Sequence, residues 1–104
     1  MKTPLNKNSV LVASRDQVSA DLSSDSAESV VILNLKNGVY YELREVGTHV
    51  WNLLQQPCSV QSILDKLLEE YEVDAERCEA DLLALTENLA KFGLIEIQST
   101  ETSQ

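Results

Sequence analysis

An Asn-Gly step between two apolar runs constrains this chain more than any other feature of its sequence. Asn37-Gly38 lies inside VVILNLKNGVYYELREVGTHVWNLL, which covers residues 30–54. Asn-Gly is the dipeptide that a two-residue type I′ hairpin turn prefers, because both central residues need positive φ. The sequence therefore predicts two antiparallel strands that run directly into a helix.

A two-residue turn would also fix which residues face each other across the hairpin. Both faces of such a hairpin are apolar, so we expect other parts of the chain to cover each face. The expected cross-strand pairs are Lys36 with Val39, Leu35 with Tyr40, and Ile32 with Leu43. One face would carry Val30, Ile32, Val39, Tyr41 and Leu43, and the other Val31, Leu33, Leu35 and Tyr40.

The segments before the hairpin predict one further strand of its sheet. Residues 17–22 alternate Val18, Ala20 and Leu22 with polar residues, which is the pattern of a half-buried strand. Polar residues 23–29 then return the chain to the hairpin, giving a three-stranded antiparallel meander. We expect residues 1–16 to be a flexible segment with a short strand at 9–13.

Helical spacing of apolar residues dominates the rest of the chain. A first helix is predicted from Glu45 to Gln55, with Gly47 packed closely in its first turn. Ser59 and Asp74 are N-cap candidates for two more helices, and Gly93 closes the last one. A short strand at 94–97 and a disordered tail at 98–104 complete an α+β, winged helix-turn-helix-like domain over residues 17–97.

The charge balance narrows the possible partners. The formal net charge is −9 and the sequence pI is about 4.4, whereas binding to nucleic acid or an anionic membrane needs clustered Lys and Arg. With no apolar run of the length that a membrane helix needs, we expect a cytoplasmic protein. Cys58 and Cys78 are expected to be free thiols in that compartment.

Catalytic and metal-binding patterns are not apparent. His49 is the only histidine and is expected on a helix surface, and Cys58 and Cys78 do not have the spacing of a zinc site. The acidic residues of 69–79 are expected to form a solvated face with favourable charges at a helix N-terminus. We therefore predict a protein that is not an enzyme and that uses no metal or cofactor.

The second hairpin strand, residues 39–44, offers an interaction surface instead. A helix follows it, so in a meander its outer edge has no partner strand within the domain. Exposed edges are usually blunted by Pro, Lys or a bulge, but this one is apolar, and an extended peptide can add to such an edge through backbone hydrogen bonds. The third helix covering the same edge is the competing expectation.

An aromatic pair, a leucine, a glycine and a Val-Trp step follow one another along the chain as Tyr40, Tyr41, Leu43, Gly47, Val50 and Trp51. In their order and spacing these features resemble those of the PqqD-like family, also called RiPP recognition elements, over roughly residues 17–97. The likeness is greatest to the stand-alone leader-binding proteins of lasso-peptide biosynthesis. Arg44 departs from the Asn or Asp common in that family before the first helix, which puts the helix cap in doubt.

The resemblance implies that the chain binds the leader segment of a ribosomally made precursor peptide as an extra strand beside the third helix. It would present that leader to a leader peptidase or another maturation enzyme, without chemistry of its own. Acidic residues at the groove suggest a leader with Lys or Arg, whose binding higher salt would weaken. The implied peptide-binding residues are Leu33, Leu35, Val39, Tyr40, Tyr41, Glu42, Leu43, Arg44, Cys78, Asp81, Leu82, Leu85 and Asn88.

Two alternatives follow from the same fold. A DNA-binding winged helix needs Lys, Arg, Asn or Gln along its recognition helix, and residues 75–92 offer only Arg77, Asn88 and Lys91 among many acids. An acidic scaffold or regulatory domain would instead bind a folded protein through its helical face. The chain is expected to be a monomer or, through its open edge, an edge-strand dimer.

Overall fold

The computed structural model describes residues 5–24 and 27–98 and gives a mixed α+β fold, as predicted. Six strands form two antiparallel sheets of three strands each, in the orders β2-β3-β4 and β5-β1-β6, and the three helices follow the first sheet. The elements are β1 Val10–Ala13, β2 Gln17–Asp21, β3 Ser29–Asn34, β4 Tyr40–Arg44, α1 Val46–Leu53, β5 Cys58–Ser59, α2 Val60–Glu70, α3 Ala75–Lys91 and β6 Ile95–Ile97.

The predicted meander is confirmed, but its hairpin register is shifted by two residues. Ile32 lies opposite Tyr41 and not opposite Leu43, as a two-residue turn would require. In the same way, Tyr40 lies opposite Leu33 and not opposite Leu35. The connection is longer than two residues, since Gly38 N–H donates to the Asn34 carbonyl at 2.8 Å. A shift of two residues leaves the side chains within β3 and β4 on their predicted faces, because side chains alternate with a period of two. Leu35 and Val39 instead lie in the connection between the two strands.

The Asn34 side chain explains the longer turn. Its Oδ1 accepts from Lys36 N–H at 2.8 Å, while its Nδ2 donates to the Phe92 carbonyl at 2.8 Å. Asn34 is buried, so these bonds satisfy a polar group that burial would otherwise penalise. Gly38 has φ +72° and Asn37 does not have positive φ, so the type I′ prediction is wrong.

Within residues 5–24 and 27–98, only the inner face of this sheet is covered. Val30, Ile32 and Leu43 are buried in the core on the inner face. The outer face is open: Tyr40 is 67% exposed and Val18 is 52% exposed. The predictions that both faces are covered and that Val18, Ala20 and Leu22 form a half-buried stripe are therefore wrong. Val18 and Ala20 in β2 are exposed, and so is Leu22, which follows the strand.

The second sheet draws part of the N-terminal segment into the core. The short strand predicted at residues 9–13 is present as β1, and its Leu11 is completely buried. β1 pairs with β6 on one side and with β5, which was not predicted, on the other. Residues 10–13 are thus part of a sheet, while residues 1–4 and 99–104 lie outside the described part of the chain.

The helix boundaries follow the predicted caps. Ser59 Oγ accepts from Ser62 N–H at 3.1 Å at the start of α2, and Asp74 Oδ2 accepts from Arg77 N–H at 3.0 Å at the start of α3. Gly93, with φ +74°, follows the end of α3. In α1, Trp51 is only 1% exposed and anchors the helix in the core. Among the described helices, none is both long and apolar enough to cross a membrane.

Candidate functional site

The edge of β4 is open in the part of the chain that the structure describes, since β4 pairs with β3 alone. At the two ends of this ladder, Asn34 N–H donates to the Val39 carbonyl and Glu45 N–H donates to the Glu28 carbonyl, both at 3.0 Å. Hydrogen-bonded pairs alternate in an antiparallel ladder. The main-chain groups of Tyr40, Glu42 and Arg44 therefore point away from β3, toward the open edge.

A groove of about 590 Å³ lies between β4 and α3, so α3 does not cover the edge of β4. Leu43 contributes the β4 wall, Val50 the floor, and Leu82 and Leu85 the α3 wall. The lining is mostly apolar, which suits the side chains of an extended peptide. The full lining is Glu42, Leu43, Arg44, Val46, Gly47, Val50, Leu67, Val73, Arg77, Cys78, Asp81, Leu82 and Leu85.

Gly47 sets how closely α1 approaches β4 at the groove. A Cβ at this position would lie 3.4 Å from Leu43 Cβ and 3.5 Å from Leu43 Cδ2. These separations are van der Waals contacts, so they confirm the predicted close packing of position 47 against Leu43. A small residue at position 47 therefore leaves Leu43 in place as a wall of the groove.

The charges at the groove rim are internally paired. Arg44 Nε lies 3.3 Å from Glu42 Oε2, and Arg77 Nε lies 3.7 Å from Asp81 Oδ2. All four side chains are largely exposed, so each ion pair contributes little to stability. Because both rim acids already have a basic neighbour, the rim is less acidic than the sequence alone indicates.

Cys78 is a half-buried free thiol in the groove wall. Burial, with a smaller contribution from the Asp81 carboxylate, raises the pKa of Cys78. Cys58 is also free and half-buried, with its pKa raised by burial, but it lies in a different cavity beside Pro57. In residues 5–24 and 27–98, no group of three His, Cys, Asp or Glu side chains is arranged to hold a metal ion.

The structure brings together seven of the residues that the sequence singled out: Glu42, Leu43, Arg44, Cys78, Asp81, Leu82 and Leu85. Leu33 and Leu35 do not line the groove. Leu33 lies opposite Tyr40 on the outer face of the sheet, and Leu35 follows the end of β3 and is 56% exposed. Asn88 is exposed and is not part of the groove lining.

Val39 and Tyr41 line a second cavity at the other end of the β4 edge. This cavity has a volume of about 290 Å³ and is also lined by Asn34, Asn37, Phe92 and Leu94. The Tyr41 and Phe92 rings pack with their centroids 5.3 Å apart. The inner side of the β4 edge therefore has two concave regions, one at Leu43 and one at Tyr41.

Six residues that line the groove were not among the peptide-binding residues expected from the sequence: Val46, Gly47, Val50, Leu67, Val73 and Arg77. Arg77 had a usable signal, since it precedes Asp81 by one helical turn. Val73 had none, because it lies between α2 and α3, where no periodicity applies. His49 is outside the groove: its Nδ1 lies 3.4 Å from Tyr71 Oη.

Comparison with known proteins gives two matches. The family model described as coenzyme PQQ synthesis protein D (PqqD) matches residues 29–95. The structure described as "TbiB1 in Complex with the TbiA(beta) Leader Peptide" is similar at a TM-score of 0.72 and 32% sequence identity, covering 89% of this chain and 99% of that one. No curated protein shows significant sequence similarity. On the family match, which spans the β3–β4 hairpin and all three helices, the chain belongs to the PqqD family.

Proposed function

We propose that this chain binds the leader segment of a ribosomally synthesised precursor peptide by strand addition to β4. The observation that carries this proposal is the open β4 edge beside an apolar groove of about 590 Å³. An extended peptide satisfies the main-chain groups of Tyr40, Glu42 and Arg44, while the groove receives alternate side chains. The solved complex of TbiB1 with the TbiA(beta) leader peptide supports this choice of ligand.

The groove favours apolar anchors in the leader. Its walls are formed by aliphatic side chains such as Leu82 and Leu85, and its charged rim groups already pair with each other. A peptide strand on β4 points every second side chain toward the groove and the others toward the outer face. The leader that fits best carries large apolar residues at alternate positions.

This role requires no bond-making by the chain itself. The bound leader would be presented to a maturation enzyme, either a modifying enzyme or a leader peptidase, and lasso-peptide biosynthesis is the setting that the TbiB1 likeness favours. The free protein would be a monomer or would pair through its β4 edges, and leader binding would compete with such pairing.

The proposal is tested by titrating isotope-labelled protein with synthetic leader segments of candidate precursor peptides. NMR shifts are expected in the amides of Tyr40–Arg44 and of α3. Val73, which is 50% exposed in the groove, allows a variant with little cost to the core. Val73→Ser should weaken binding by about 1–2 kcal/mol, or roughly 5–30-fold, because it removes apolar contact area.

Glu72→Ser is the matched control, since Glu72 is exposed and does not line the groove. It removes one of many exposed acids, so leader affinity should stay within about twofold of that of the unsubstituted chain. A folded spectrum with no shifts for any leader would overturn the proposal. The acidic helical face would then be tested as the binding surface for a folded protein partner.

A further inference from the structure

Glu42 and Arg44 are oppositely charged residues two positions apart on the open strand β4. Both lie on the outer face of the sheet, since Leu43 between them is buried on the inner face. Their neighbours on β3 are uncharged: Glu42 lies opposite Val31, and Arg44 lies opposite Ser29. Within the described part of the sheet, neither charge therefore has a charged cross-strand partner.

The contact between these two charges is weak. Arg44 Nε lies 3.3 Å from Glu42 Oε2, and the two side chains are 72% and 45% exposed. A pair this exposed contributes little free energy, so either side chain can change partner at small cost. A strand added to the open edge places its side chains directly opposite those of β4, with Cβ atoms about 5 Å apart. The edge thus presents one negative and one positive position to an added strand, in a fixed order.

We propose that Glu42 and Arg44 select a leader that carries an acidic residue opposite Arg44 and a basic residue opposite Glu42. The inference rests on the proposed function, since it needs the leader on β4. In an antiparallel leader the residue opposite Arg44 comes first, so the leader reads acid, any residue, base from its N-terminal side. These charged positions face outward and alternate with the apolar positions that the groove favours.

The same two charges fix the register of the leader. A slip of one residue turns the apolar anchors away from the groove. A slip of two residues keeps the anchors inward, but it places the base opposite Arg44 in one direction and the acid opposite Glu42 in the other. Either slip brings like charges together, which destabilises a strand pair. Because the acid and the base cancel, this pairing adds specificity without adding net charge to the leader.

Two further acids reduce the size of the effect. Glu28 and Glu45 line a cavity of about 280 Å³ together with Glu42 and Arg44. A base opposite Arg44 is attracted to these two carboxylates, which offsets part of its repulsion by Arg44. The preference for the proposed order is therefore expected to be moderate. Leader peptides of identical composition remove the influence of net charge from the comparison.

The test uses two versions of a synthetic leader segment that binds in the NMR titration. They carry Glu and Lys, in either order, at the two positions that face Arg44 and Glu42. NOEs from the Hα atoms of Tyr41 and Leu43 to the leader identify these positions, because residues 41 and 43 form the close, non-hydrogen-bonded pairs with an added strand. By calorimetry, the unsubstituted chain should bind the version with Glu first about fivefold more tightly than the version with Lys first.

The exchange variant Glu42→Arg/Arg44→Glu should invert this preference. It keeps the net charge of −9 and both backbone N–H donors. Its preference for Lys first should be at least fivefold, because Glu28 and Glu45 now act in the same direction as the carboxylate at position 44.

Asp16→Lys/Lys36→Asp is the matched control. It exchanges another exposed ion pair, in which Lys36 Nζ lies 3.4 Å from Asp16 Oδ2. Neither residue lies on β4 or lines either cavity of its edge. This variant should keep both the affinity and the order preference of the unsubstituted chain.

The outcomes separate this inference from the proposed function. If no leader segment shifts the amides of Tyr40–Arg44, the proposed function fails. If both versions bind at β4 with equal affinity, or if the exchange variant keeps the original preference, Glu42 and Arg44 do not select the leader and this inference is wrong, while strand addition stands. A preference of the unsubstituted chain for Lys first would overturn it as well.

Discussion

Glu45 joins β4 to α1 with φ 51° and ψ −117°, the only positive φ of a non-glycine residue in the described part of the chain. Its side chain makes no capping hydrogen bond to α1, in agreement with the doubt that Arg44 raised about this cap. Glu45 N–H still donates to the Glu28 carbonyl, which ties the junction to the end of β3. The backbone conformation is therefore imposed by the strand pairing and not by the residue's own preference.

Relief of this strain should stabilise the protein. A side chain in such a backbone region destabilises the folded state by about 1–3 kcal/mol. Glycine removes this strain, but it also increases the entropy of the unfolded chain, which offsets part of the stabilisation. Glu45→Gly should therefore raise the free energy of unfolding by about 1 kcal/mol in urea denaturation. Glu45→Ala removes the same carboxylate but keeps Cβ, so it should give no such gain. Equal stability of the two variants would show that the backbone is not strained.

Cys78 reports occupancy of the groove without any substitution. Because burial and Asp81 raise its pKa, Cys78 is almost entirely protonated at neutral pH, and its alkylation by iodoacetamide should accelerate as pH rises toward its pKa. Saturating leader should slow alkylation of Cys78 by about tenfold or more while leaving Cys58 unaffected. Mass spectrometry measures both sites in one sample, and equal protection of the two thiols would contradict a leader in the groove.

Strand β4 is the element on which the proposed function depends. Glu42 N–H points to the open edge, so Glu42→Pro removes a donor that the leader would use without removing a hydrogen bond to β3. This variant should fold and should lose about 1–3 kcal/mol of leader affinity, measured by calorimetry. Glu42→Ala, which keeps the donor, should bind within about threefold of the unsubstituted chain. Full affinity in Glu42→Pro would exclude strand addition at this position.

Local signals predicted the helices better than the hairpin turn. Ser59, Asp74 and Gly93 act through partners a few residues away, and all three occupy their predicted positions. The turn length depends on Asn34, whose amide bonds the Phe92 carbonyl from 58 residues away in sequence. The same side chain also accepts from Lys36 N–H within the turn, and the preference of Asn37-Gly38 for a two-residue turn reflects neither contact.

At the scale of the whole molecule, the sequence predicted the fold class but not the second sheet. β1 and β6 lie at opposite ends of the chain, and β5 has only two residues, so no local pattern indicates that they pair. The lining of the candidate groove was only partly predicted, because some of its residues are also brought together without a local sequence pattern. Its β4 and α3 residues have periodic patterns, whereas Val73 and Leu67 reach it only through the packing of the helices.

The net charge of −9 predicts how salt acts on a leader that carries net positive charge. Because Glu42 and Asp81 are paired at the rim, the attraction comes from the field of the whole molecule. Raising ionic strength from about 20 mM to about 500 mM should slow association by about tenfold or more and change dissociation little. Stopped-flow fluorescence with a labelled leader measures both rates.

Two single-charge variants locate the source of that attraction. Asp81→Asn removes an acid at the groove, and Glu69→Gln removes an exposed acid on α2 that does not line the groove. If the whole-molecule field dominates, each variant should reduce the salt dependence by a similar small amount. If Asp81→Asn alone abolished it, the leader would be held by a local ion pair, and the basic residue that the sequence suggested for the leader would lie directly at the Asp81 carboxylate.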